Sequence, residues 1–193
     1  MRILASTSEL AELNLIAHSR GTDVLTSALR ELYIETRAAG HDFRTVYRIK
    51  NVVLAAADLD LEVVSQRVAA EYVGLGTERS TLYVSPADKA LGFSGLLFMS
   101  LRRIGQVGPE DLTDEQRQFV ELVARTQFID ARVPTGFIGH AYFYRHPAVS
   151  ADLVLLLRYQ FEPGSPGRPL HKRGANFWQI TPDYPGVQGT PGR

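Results

Sequence analysis

The sequence predicts an α/β fold, built as a parallel sheet of about four strands with helices on both faces, and three observations carry that prediction. Short apolar runs alternate with segments whose apolar residues recur at helical spacing, the arrangement in which helices connect parallel strands. Two runs contain consecutive apolar stretches, Leu15 to Ala17 and Val52 to Ala57, as strands buried on both faces do. Residues with chemical potential fall just after the runs, where open parallel sheets place their ligands.

In order, Leu13 to Ala17 forms the first strand. Val24, Leu25, Ala28, Leu29, Leu32 and Tyr33 then fall on one helical stripe, which Gly40 stops. Ile49 to Ala57 is the second strand, and Leu61, Val64 and Val68 mark a short helix. Arg79 to Ser85 is the third strand, with Pro86 opening a helix that runs through Met99. Thr113 and Gln116 make a capping box for the helix EQRQFVELVA, after which Thr126 to Ala131 is the fourth strand. Pro147 opens the apolar helix AVSADLVLLLR. From Tyr159 the character changes, because six of the ten prolines lie in the last 35 residues with few apolar anchors beyond Phe161, Leu170, Phe177, Trp178 and Ile180. Residues 159–193 are therefore expected to be an extended or partly disordered tail behind a domain spanning 1–158.

Composition excludes several classes of function. With 21 basic and 21 acidic residues, the chain has no charge excess to favour nucleic acid or an anionic membrane. The absence of cysteine rules out disulfides, thiol catalysis and thiolate metal sites. No apolar run is long enough to span a bilayer, and the N-terminus lacks the unbroken apolar core of a secretory signal. A cytoplasmic location is the default expectation, unless an N-terminal targeting segment has been lost.

After the first strand comes Ala-His-Ser-Arg-Gly, with small Ala17 and Gly21 two residues either side of Ser19. A strand turning at once into a helix forces the turning residue into a strained conformation, and small neighbours leave room for that turn. The turn lifts a serine hydroxyl above the sheet and aims the amide of Arg20 at the same space. The pentapeptide alone equally fits a serine capping the helix.

Asp58 and Asp60 follow the second strand, Asp88 follows the third, and the glycine-rich loop after the fourth delivers His140. One or both of Asp58 and Asp60 also suit a helix cap, and His18 suits local packing better than a second functional role. Ser19, Asp88 and His140 stand in the Ser, Asp, His chain order of α/β-hydrolases. His140 and His146 lack partners at metal-ligand spacing, and no phosphate loop follows a strand, so no metal and no cofactor are expected. The stretch LGFSGLLFMSLRR reads as a core-facing helix rather than a lipid surface.

The segments NLIAHSRGTDVL, NVVLAAADLD, LYVSPADKAL and GFIGHAYF, in that order, resemble an uncharacterised bacterial branch of the α/β-hydrolases, esterase/lipase-like proteins of unknown function. Members show an Ala-His-Ser-x-Gly elbow, an aspartate in a Ser-x-x-Asp-x-Ala-Leu stretch, and a Gly-His followed by aromatics. The resemblance covers about Leu13 to Arg158 and implies Ser19 as nucleophile, His140 as general base and Asp88 as the carboxylate that orients it. Arg20 replaces the methionine common at that place, which is immaterial if only its amide acts.

The resemblance also implies four strands ahead of the nucleophile strand, and the loop that gives the second oxyanion donor, for which only about a dozen residues are present. The expectation is thus a partial domain, the C-terminal half of such a fold, whose exposed first strand invites self-association. The implied activity is hydrolysis of a small ester or acyl substrate. The alternative is a catalytically inactive hydrolase-like module kept for binding or assembly.

Overall fold

Each of the four strand-like runs forms a strand in the computed structural model, which describes residues 3, 6–55, 77–84, 126–131, 146–173 and 176–185. They are β1 (Leu13–His18), β2 (Ile49–Ala55), β3 (Arg79–Val84) and β4 (Thr126–Asp130), parallel and adjacent in chain order. Their register aligns His18 with Ala55, Ala55 with Tyr83 and Tyr83 with Ile129, so the carboxyl ends of the strands form one crest. The helices expected between 61 and 125 lie outside the described residues.

The consecutive apolar residues of β2 serve both faces, as the sequence predicts. Val52 packs with Leu29 and Leu32 of helix α1 (Gly21–Ala38) and with Phe43 and Tyr47 of helix α2 (Phe43–Tyr47). Val53 and Ala55 point the other way, into a cluster with Ala148, Val149 and Leu156 of helix α3 (Pro147–Leu157). A side-chain period of two makes this division unavoidable once the strand is central.

The buried face of α1 is rotated from the stripe expected. Leu29 and Leu32 are buried, but Val24 is 70% exposed, and Thr22, Thr26 and Thr36 are buried in its place. Each threonine bonds its hydroxyl to a carbonyl one turn earlier, Thr22 to Ser19, Thr26 to Thr22 and Thr36 to Leu32. With that bond made, a threonine presents only its methyl to the core, so counting apolar letters misplaces the face. The helix stops as expected: Gly40 sits at φ 74, its N–H bonds Arg37 O and the His41 N–H bonds Thr36 O, a Schellman ending. Helix α2 has no counterpart in the sequence reading. One turn is too short to show a period, and its start is set by Asp42, whose carboxylate accepts from the Thr45 N–H at 2.8 Å.

The segment beyond residue 158 adds two strands to the four expected. β6 (Phe177–Gln179) lies parallel to β4, and β5 (His171–Lys172) pairs antiparallel outside it. Leu170, Phe177, Ile180 and Tyr184 are buried, and Trp178 donates to Gln127 Oε1 at 2.7 Å. Among the described residues of this segment, Pro163, Gly164, Pro166 and Gly167 lie in tight turns. Gly164 sits at φ 77, where an added Cβ would come within 2.5 Å of the Trp178 ring. Gln160, at φ 57 after α3, places its side-chain oxygen to accept from Asn51 of β2 at 3.1 Å.

Under the crest lies a fully buried polar cluster. Asp152 of α3 accepts from Arg168 Nε at 2.8 Å and Nη2 at 2.7 Å, and the hydroxyls of Tyr83 and Tyr184 also donate to its carboxylate. Burial alone would lower the Arg168 guanidinium, but the bonds and charge of Asp152 outweigh it and hold the group cationic. Burial pushes both phenols above their ordinary value, and the neighbouring carboxylate adds to the effect.

A pH dependence follows. Above about pH 10 the unfolded chain releases both phenolic protons while the folded protein keeps them. The folded state then binds more protons, so stability is intact below that pH and falls above it, by up to about 1.4 kcal/mol per pH unit for each tyrosine. Urea unfolding at about pH 9 and about pH 11 should show this loss, and a shallower one in Tyr83→Phe.

Candidate functional site

At the crest, β1 passes into α1 through Ser19, whose φ is 51. A left-handed backbone at a residue with a Cβ costs roughly 1–2 kcal/mol and persists only where the surroundings impose it. Three bonds do so here. The Ser19 N–H donates to Ala55 O at 3.0 Å, and the Ser19 carbonyl accepts from the Thr22 N–H at 2.9 Å and from Thr22 Oγ1 at 2.6 Å. The capping position of α1 falls on Arg20, which makes no side-chain cap bond, so Ser19 precedes the cap rather than occupying it.

Arg20 is already in the right-handed helical region, at φ −59 and ψ −20, and its side chain is exposed. Its amide therefore stands at a helix N-terminus, where N–H groups lack intrahelical acceptors and the dipole favours an anion. Of the two small neighbours, Ala17 is buried, whereas an added Cβ at Gly21 would meet nothing within 4 Å. Among the described residues, nothing crowds Gly21. His18 is half-buried, in register with Ala55.

Asp58, Asp60, Asp88 and His140 lie outside the described residues, as does the stretch LGFSGLLFMSLRR. The strands that lead to them fix what is required. Neighbouring strands are about 4.8 Å apart, so β3 and β4 end about 10 and about 14 Å from β1. A carboxylate after β3 and a histidine after β4 reach Ser19 only if their segments run back along the crest.

Asp130, the last residue of β4, is a carboxylate the sequence reading passed over because it falls inside an apolar strand run. It is half-buried and paired in register with Val84. At about 14 Å from β1 it is beyond hydrogen-bond reach of Ser19.

Among the described residues, a cleft of about 440 Å³ lies at the amino ends of β1 and β2, opposite the crest, lined by Glu12, Arg44, Arg48, Lys50 and Glu78. Its charges offset one another. Lys50 bonds Glu12 at 2.9 Å, which raises the ammonium and lowers the carboxylate, and Arg48 donates to the carbonyls of Leu10 and Thr7. The crest, with its strained serine and helix N-terminus, is the better candidate. No group of three or more metal-ligating side chains is assembled among the described residues.

A mainly parallel sheet flanked by helices, with its strained turn between a strand and a helix, defines an α/β protein of the hydrolase type. Residues 1–158 match the family model described as alpha/beta hydrolase of unknown function (DUF900), and the chain belongs to that family. Neither the curated proteins nor the solved structures contain a match. No helix among the described residues is long and apolar enough to cross a membrane.

Proposed function

We propose that the protein is a serine hydrolase acting on carboxylic esters, with Ser19 as nucleophile, His140 as general base and Asp88 as the carboxylate that orients the imidazole. The observation that carries this reading is the left-handed Ser19 set between β1 and α1, the strained strand-to-helix turn on which a hydrolase of this fold carries its nucleophile. Ser19 Oγ attacks the ester carbonyl carbon while its proton passes to His140. The oxyanion receives the Arg20 amide, and collapse expels the alcohol, which takes that proton. Water then repeats the sequence on the acyl-enzyme and releases the acid. Asp58 and Asp60 are the alternative carboxylates.

The test uses a fluorophosphonate probe on the intact chain beside Ser19→Ala and His140→Ala. Wild type should be labelled, Ser19→Ala should not, and His140→Ala should be slowed on the order of 10³-fold or more. Equal labelling of all three would overturn the assignment. For the carboxylate, Asp88→Asn should lose esterase activity while Asp58→Asn and Asp60→Asn keep it. The reverse pattern would move the role to the second strand.

A second reading, a binding or assembly module, draws on β1. Among the described residues this strand pairs only with β2, and its Ile16 is 48% exposed, the kind of edge that accepts a strand from another chain. Ester hydrolysis by a purified monomer, lost in Ser19→Ala, would count against it.

A further inference from the structure

We propose that Asp152 and Arg168, acting through Tyr83, form a brace that sets the reactivity of Ser19, which makes them positioning residues. The inference rests on the reading of Ser19 as nucleophile. Neither residue stands at the crest, and Arg168 lies beyond the stretch that matches the family model, so the resemblance assigns it nothing.

Tyr83, Asp152, Arg168 and Tyr184 are each at most 1% exposed. The Arg168 fork grips both oxygens of Asp152, at 2.8 and 2.7 Å, and the Tyr83 hydroxyl donates to one of them. Among the described residues, Arg168 Nη1 has no hydrogen-bond partner. An ion pair in such a place is an unfavourable way to build a core, since well-packed apolar residues of similar volume serve stability as well or better. What a bidentate fork supplies in addition is direction, because it fixes angles that apolar packing leaves loose.

The direction is passed upward through the sheet register. Tyr83 pairs with Ala55, and Ala55 gives its carbonyl to the Ser19 N–H. Ala55 and Tyr83 are both fully buried and belong to the cluster that packs on α3. A shift of α3 or of the segment carrying Arg168 therefore moves β3, then β2, then the bond that holds Ser19 at φ 51. Nucleophilic attack is sensitive to such shifts, with about a hundredfold in rate for about 1 Å.

The experiment separates bracing from stability. In the full chain, the double variant Asp152→Leu with Arg168→Met replaces the pair with apolar side chains, and Tyr83→Phe removes one hydroxyl. Fluorophosphonate modification of Ser19 is resolved into its binding and bond-forming steps, with melting temperature measured alongside. The brace predicts a bond-forming step slowed about tenfold or more in the double variant and several-fold in Tyr83→Phe, with probe binding unchanged and both variants still fully folded at the assay temperature. Modification at the wild-type rate in a folded double variant would overturn it. If the double variant does not fold, Tyr83→Phe decides in the same way. If wild type is not modified at all, the nucleophile reading fails on its own, and amide exchange becomes the readout. Faster exchange at Ser19 in Tyr83→Phe, with exchange at Leu32 unchanged, supports the brace, and an unchanged Ser19 overturns it.

Discussion

Asp152→Ala is expected to cost the fold about 3–5 kcal/mol, the largest stability effect of any single substitution described for this protein. The carboxylate is fully buried and receives the Arg168 fork and two tyrosine hydroxyls. Alanine would leave a guanidinium in the core without its counter-ion and two phenols without acceptors. A buried cation cannot escape by deprotonating when it is an arginine, so the penalty stays in the folded state. Asp152→Leu with Arg168→Met removes both charges together and leaves only the two phenols without their acceptor, so it should cost less than Asp152→Ala, which strands the guanidinium as well. The single tryptophan, Trp178, half-buried against Gly164, offers a fluorescence signal for urea unfolding from the same C-terminal segment. A single-variant cost below about 1 kcal/mol would mean that water reaches Arg168 readily, contrary to its complete burial.

Had this cluster been visible in the sequence, the segment beyond residue 158 would not have read as a tail. Asp152 sits inside the apolar helix AVSADLVLLLR and Arg168 between prolines and glycines, 16 positions apart. Neither has a local partner, and composition rules assign prolines and glycines to loops without saying what those loops hold. By contrast, β1 and β2 are legible because consecutive apolar residues carry their own signal for a buried strand, and β3 and β4 because short runs of this kind alternate with helical spacing. The face of α1 was half legible: Leu29 and Leu32 show in the spacing, whereas Thr22, Thr26 and Thr36 are buried by local bonds that a hydrophobicity pattern cannot register.

The candidate site divides along similar lines. Ser19 was marked by its small neighbours and its place after a strand, and its left-handed backbone agrees with the turn that such a place requires. Asp130 is not legible as a site residue because it ends an apolar strand run, where the pattern signals core rather than chemistry. The C-terminal end of a parallel strand belongs to both categories, so its last residue merits inspection with the loop that follows.

Ser19→Gly is expected to give the second large effect, with opposite signs in two measurements. Glycine adopts φ 51 without steric cost, so the substitution relieves roughly 1–2 kcal/mol of backbone strain. The greater freedom of glycine in the unfolded chain returns roughly 0.5–1 kcal/mol of that gain. The variant should thus be more stable than wild type by up to about 1.5 kcal/mol, seen as a higher midpoint in urea. On the proposed serine-hydrolase reading, ester hydrolysis should fall by a factor on the order of 10⁴–10⁶, since no hydroxyl would remain to form an acyl-enzyme. Ser19→Ala should lose the same activity with little change in stability, because alanine keeps the Cβ that makes the conformation costly. Gain of stability with loss of function at one residue is the signature of strain retained for chemistry. A glycine variant less stable than the alanine variant would show that the left-handed turn costs less than the added freedom of glycine in the unfolded chain, and would overturn the reading of Ser19 as strained.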